Sequence, residues 1–461
     1  MQGIKRAPLT EGPIFSKMLL FALPIMLTGI LQLLYNSADS IIVGRFSGDP
    51  NALGAVGSTG SVTGLLINML MGLAAGTSVL VSQFYGARND SGVSRAVHTS
   101  MTAAVIGGVG VLVLGELIAS PLLRLLGTKP DLFASALIYV RIIFIGVPAL
   151  AVFNFGAAVI RSLGDSRTPL IILSVSGLIN VILNLVFVIG MRMSVAGVAL
   201  ATIISQYLSA AAIVTVLMRV DGPHRFSFKK IGINSSILKR MLKIAIPSAI
   251  QSSLFSISNM ILQSSINTLS TDEVSGNAVA STLESFVYTA LNSFYTVTLT
   301  FVGQNYGAHK PKRTKRAVLY SLIQATIVGI TVSSVILLFA EPLSMLFVDP
   351  KAENVATVVD ACIRRCSVVL IPYVLCGYME TTTGFLRGYG YSLLPMLSSV
   401  LCICVMRIFW AKLIFPLPRF NTIEGLFLIY PITWLLASLS QGIMSFIIYR
   451  KSKKALSADC Y

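Results

Sequence analysis

Residues 83–97 read QFYGARNDSGVSRAV, and residues 304–318 of the same 461-residue chain read QNYGAHKPKRTKRAV. Other positions pair at nearly the same distance. Pro24 aligns with Pro247, Asn36 with Asn259, GAVGST at 54–59 with NAVAST at 277–282, and Pro121 with Pro342. Arg161, Gly164, Ser166 and Pro169 fall opposite Arg387, Gly390, Ser392 and Pro395, and every offset lies between 221 and 226. A spacing held that constant over so much of the chain is the mark of an internal duplication.

Composition says what was duplicated. Of these residues 55% are apolar and 11% charged, against about 45–50% and about 25% in an ordinary soluble domain. A bilayer crossing takes about 20 apolar residues, and runs of that length recur from end to end. Twelve are expected, at 17–45, 54–82, 96–120, 132–160, 168–190, 195–218, 239–269, 277–303, 317–341, 355–385, 392–415 and 425–449. Backbone groups in hydrocarbon must be satisfied within their own segment, so spans this long read as helices. The sequence therefore predicts an all-α integral membrane protein: an N-lobe over 1–218, a basic cytoplasmic linker over 219–238, and a C-lobe over 239–461 that ends in a short tail. Six crossings return the chain to its starting side, so the two six-helix lobes are expected to be related by a pseudo-two-fold axis along the membrane normal.

The formal net charge is +17, and it follows the loops. With a cytoplasmic N-terminus, the even-numbered turns and both tails hold 24 of the 35 Lys and Arg, including Arg219, Arg225, Lys229, Lys230, Lys239, Arg240 and Lys243 in the central connection. That is the positive-inside pattern, with both termini cytoplasmic. No charged start, short apolar core and small-residue cleavage site precede the first span. Lipid head groups account for the basic loops, so the bilayer is an expected partner and nucleic acid is not. Six cysteines are present, five of them between Cys362 and Cys404. Their spacing makes no zinc-like set, disulfides are not expected, and they read as small apolar residues inside helices.

A charged side chain at a helix centre costs roughly 2.5–3.5 kcal/mol on insertion scales, so intramembrane carboxylates are functional candidates. Asp39 lies in the outer half of span one with Asn36 on the same face. Span five carries Asn180 and Asn184, an i, i+4 pair, and span six carries Thr202. One carboxylate with several neutral oxygens suits a proton or a small hard cation. The second half has Glu284, Glu380 and Arg407, where Arg407 is a candidate to neutralise either acid. Glu380 stands seven residues before Arg387, as Asn154 stands seven before Arg161. Asn154, Glu284 and Glu380, with Tyr35, Gln251, Tyr288, Met26 and Met69, are substrate candidates, the aromatic and thioether groups suiting organic cations. Repeat-built transporters bind substrate near the midplane between their halves. No HExxH, GxSxG or nucleotide loop is present, so no enzyme is expected.

As a set, the layout, Asp39 before IIVGR, the paired QFYGA and QNYGA loops, RSLGDSRTP with LRGYG, and VAGVALATIISQ at 195–206 resemble the MATE (multidrug and toxic compound extrusion) transporters, in particular their bacterial DinF-like branch. The likeness covers nearly the whole chain. It implies a bacterial cytoplasmic-membrane antiporter, a monomer without cofactor, that exports cationic or amphipathic small molecules against Na⁺ or H⁺ entry. It also implies that Asp39, Asn180, Asn184 and Thr202 form the coupling-ion site. The chain departs from relatives at Asn184, where Asp is frequent, and at Phe255, where the NorM branch has Glu. A lipid or lipid-linked oligosaccharide flippase of the wider superfamily is the alternative.

Overall fold

In a computed structural model, residues 9–49, 51–125, 127–348 and 354–458 are described. Lys5, Arg6, Lys351 and Cys460 lie outside them. All regular structure among these residues is helical. The first half runs α1 (Ile14–Phe46), α2 (Ala52–Gly86), α3 (Asp90–Leu125), α4 (Pro130–Ser162), α5 (Arg167–Gly190) and α6 (Ser194–Arg219). The second runs α7 (Ser235–Ile266), α8 (Thr271–Gly307), α9 (Pro311–Leu338), α10 (Val355–Leu370), α11 (Val374–Gly388), α12 (Leu393–Ile414) and α13 (Ile423–Lys454).

Among the described residues, ten helices are long and apolar enough to cross a membrane. Two of the twelve expected spans fall outside that set. The span at 277–303 forms the unbroken α8, but Ser, Thr, Asn and Glu284 recur along it and dilute its apolar character. The span at 355–385 is split into α10 and α11 by a turn at residues 371–373, where Pro372 has no backbone N–H to continue the helical hydrogen bonding.

The repeated sequence becomes a repeated turn. At the end of α2 the Ala87 amide donates to the Gln83 carbonyl and the Arg88 amide to that of Tyr85, and at the end of α8 the Ala308 amide donates to the Gln304 carbonyl and the His309 amide to that of Tyr306. The next residue is left-handed in both, Arg88 at φ 53° and His309 at φ 55°, although neither is glycine. Such conformations are uncommon outside glycine. Gly164 and Gly390, another matched pair, take φ 97° and 90°.

The chain divides into two compact units, and their boundary is not the basic linker. The first unit includes Leu23–Ala249; the second takes Leu9–Ala22 together with the chain from Ile250 onward. This division by packing differs from the repeat boundaries expected at 218 and 239. The cause is packing. The first half of α7 lies so close to α2 that a Cβ on Gly76 would come 2.5 Å from the Met241 carbonyl oxygen, and small residues permit that approach. The linker itself is folded onto α3: the Ser227 amide donates to His98 Nε2 at 3.1 Å, and Phe226 stacks on the His98 ring at 5.4 Å. In the second unit the start of α1 is held by α8 and α9, with Gln324 Nε2 donating to the Phe15 carbonyl at 2.7 Å and Phe21 edge-on to Phe301.

Candidate functional site

In the first unit, α1, α5 and α6 bring four of the expected residues together. Asn184 Nδ2 donates to Asp39 Oδ1 at 2.5 Å, and Thr202 Oγ1 approaches Asp39 Oδ2 at 3.5 Å. Asn184 Nδ2 also reaches Asn180 Oδ1 at 3.3 Å, and Asn180 Nδ2 reaches Thr202 Oγ1 at 3.5 Å. The i, i+4 spacing on α5 stacks the two amides on one face. Packing fixes the helices that carry them. The Tyr35 ring lies where a Cβ on Gly177 would be, at 1.9 Å, and its hydroxyl donates to the Ser174 carbonyl at 3.2 Å.

Immediately beyond Asn184, α5 widens into a π-helical stretch at Leu185–Gly190. Such segments are rare and frequent at functional sites. Asn184 is fully buried, yet its Oδ1 accepts no hydrogen bond. A buried acceptor left unpaired costs about 1–3 kcal/mol. A cation beside Asp39 would remove that cost, so the oxygen set fits a small hard ion or a proton. Asn36 is not part of the cluster: it is exposed, and only its backbone carbonyl is engaged, by Ser40 Oγ at 3.1 Å. Its i, i+3 relation to Asp39 shares a face only loosely, and the contact to α5 is made one turn further on. Tyr139 of α4, which the sequence did not single out, is within electrostatic reach of Asp39. Met26 is buried and Met69 packs against the apolar core. Asn154 donates to its own helix, at the Leu150 carbonyl.

The second unit holds a different constellation. Arg365 on α10 pairs with Glu284 on α8, Nη2 to Oε2 at 2.5 Å, and its other arm donates to Ser281 Oγ and the Asn277 carbonyl. Tyr373 Oη donates to Glu284 Oε1 at 3.1 Å, and Arg365 lies 4.3 Å from the centre of the Phe427 ring. Arg407 was a candidate to neutralise Glu284 or Glu380. Among the described residues no ion pair joins it to either: it donates to Asn259 Oδ1 at 2.9 Å and lies over the Tyr430 ring at 3.9 Å. α12 directs Arg407 toward α7 and α13, which leaves Glu284 to the arginine of α10. Arg364 and Arg365, two charges within the expected span at 355–385, are the signal that could have found this pair.

Deeper in the same unit, Arg387 is 6% exposed and is not the surface arginine its place near the end of a span suggests. It donates to Tyr295 Oη at 2.7 Å and to Gln251 Oε1 at 2.8 Å, while Gln251 Nε2 donates to Ser399 Oγ at 3.1 Å. Glu380, two turns before it on α11, accepts from Asn292 and feels the Arg387 charge. Tyr288 is exposed, and its hydroxyl accepts from Asn292 at 3.3 Å. Gln251 therefore serves Arg387. The five described cysteines are free thiols, and no group of three or more His, Cys, Asp or Glu able to hold a metal occurs among the described residues.

Ten helices long and apolar enough to cross a membrane, with charged side chains set among them, define an integral membrane protein. The family model MatE matches residues 24–186 and again 247–412, so both halves carry it and the chain belongs to the MatE family. A probable multidrug resistance protein, YoeA of Bacillus subtilis (strain 168), is 26% identical over 432 residues, 92% of this chain and 91% of its own length. DNA damage-inducible protein F of Escherichia coli (strain K12) is 27% identical over 328 residues, 69% of this chain and 70% of its own. The fold is that of a multidrug resistance MATE family transporter solved in an outward-facing conformation, at a TM-score of 0.90 and 22% identity over 98% of this chain and 100% of that one.

Proposed function

We propose that this protein is a cation-coupled antiporter with Na⁺ or H⁺ as coupling ion, exporting organic cations, drugs or other amphipathic compounds across a bacterial cytoplasmic membrane. Relatives that bear drug-resistance names over most of the chain support the cargo. The duplication supports twelve crossings in two six-helix halves, with both termini inside. The observation that carries the coupling reading is the Asp39 carboxylate held by Asn184 and Thr202, next to an Asn184 oxygen without a donor.

Coupling requires the two ligands to favour different states. From outside, Asp39 takes up the ion, which lowers affinity for cargo in the outward-facing state. The inward-facing state releases the ion and accepts cargo. Asn184 and Thr202 hold the carboxylate in place, and their neutrality lets one monovalent charge balance the site. Purified protein in liposomes loaded with a fluorescent organic cation, driven by a sodium or a proton gradient in turn, tests this. Export driven by one gradient and lost in Asp39→Asn is expected; gradient-driven export that survives the substitution rejects Asp39 as the coupling site.

A further inference from the structure

The second unit holds a positive charge that its own fold does not neutralise. Three arginines are buried there, Arg365, Arg387 and Arg407, at 3%, 6% and 6% exposure. Arg365 has Glu284, and Arg387 has Glu380 two turns away on its own helix. Arg407 has a neutral amide oxygen and an aromatic face, and its Nε, buried, donates to nothing. A guanidinium out of water is stable only with an anion or a full set of acceptors. One donor without an acceptor, and a net charge without a counter-charge, would both be answered by an anion brought from elsewhere.

What surrounds Arg407 limits what that anion is. Tyr430 under the guanidinium stands edge-on to Trp434 at 5.4 Å, and Trp434 in turn meets Tyr373 at 4.7 Å. α12, which carries Arg407, is π-helical both before it, at Val400–Val405, and after it, at Trp410–Ile414. Such widened turns are rare and frequent at functional sites. Guanidinium matches carboxylate and phosphate oxygens through its paired donors, and aromatic walls favour a flat ring.

We infer that Arg407, with Tyr430 and Asn259, forms a subsite for the anionic group of an aromatic carboxylate or phosphate, so that the cargo includes aromatic anions or zwitterions and not cations alone. The inference rests on the reading of the protein as an exporter of small amphipathic compounds, but binding is measured without transport. The chain has two tryptophans. In full-length protein carrying Trp410→Phe, Trp434 is the only one left, and it lies beside the subsite. This protein in lipid nanodiscs is titrated with 1-naphthoate, 1-naphthyl phosphate and 1-naphthylmethylammonium while Trp434 emission is followed. Saturable quenching by at least one anion, at lower concentration than by the cation, is expected; the anion that saturates identifies carboxylate or phosphate. Adding Arg407→Gln weakens the anion about tenfold or more and leaves the cation unchanged, because a hydrogen bond to a charged group is lost. Arg407→Lys, which keeps the charge and loses the fork, falls between and serves if the Gln variant does not fold. Absence of saturable anion quenching in the parent, or equal anion affinity in Arg407→Gln, overturns the subsite. Liposomes without gradient-driven flux, with the titration intact, reject the exporter reading and leave the subsite standing.

Discussion

The two halves use the same pair of helices for opposite charges. In the first, α1 supplies Asp39 and α5 supplies Asn184, joined at 2.5 Å; in the second, α7 supplies Asn259 and α12 supplies Arg407, joined at 2.9 Å. The repeat aligns Asn36 with Asn259 and Pro169 with Pro395, so the positions matching Asp39 and Arg407 are Leu262 and Val181, both apolar. Duplication preserved the scaffold, and each copy then placed one charge on a different member of the pair. The halves also differ in how they hold charge. The first surrounds a lone carboxylate with a neutral amide and a hydroxyl, whereas the second locks Glu284 against Arg365 with three further hydrogen-bond partners. A lone group in neutral company can change its protonation or ligand at little structural cost. A buried ion pair cannot lose one member without stranding the other.

The largest expected effect follows from that contrast. Asp39→Asn should abolish gradient-driven export while the protein still folds, checked by liposome flux beside a thermal unfolding curve. In the second half the order reverses: Arg365→Ala strands Glu284 and should lower stability by about 3–5 kcal/mol, read as a fall in Tm of the detergent-solubilised protein. Glu284→Leu combined with Arg365→Met should regain most of that loss, and a double variant no better than Arg365→Ala would mean the pair is not the cause. Gly177→Ala should cost about 1–3 kcal/mol by overpacking, because its Cβ would enter the Tyr35 ring, and export should weaken as Tyr35 shifts on α1. The smallest effect belongs to Asp272 at the start of α8. Hydrogen bonds from Thr357 and then Asn354 hold its carboxyl below the ordinary value of 3.8. The folded state therefore gains from its ionised form above that value, and the gain is lost as pH falls through the lowered pKa. Tm measured between pH 3 and pH 5 should fall slightly more steeply in the parent than in Asp272→Asn.

Much of this was legible in the residues. Apolar run length and the charged loops fixed a helical membrane protein, because hydrocarbon leaves the backbone no other solution. The QxYGA repeat announced the twin turns, and their shared φ values show the backbone repeating with the letters. Asp39, Asn180, Asn184 and Thr202 stood out because polar groups are rare in such spans, and they do converge. Local pattern could not assign partners between distant helices. It offered Arg407 as a candidate partner for the acids, passed over Arg365, and grouped Asn36 with Asp39. Sequence thus determined the helices, their duplication and which residues carry charge, since these depend on solvent and local chemistry alone. Only the tertiary structure decided which charge meets which. Pairing depends on how close two helices approach, and glycines such as Gly76 and Gly177, silent in any one-dimensional pattern, set that distance.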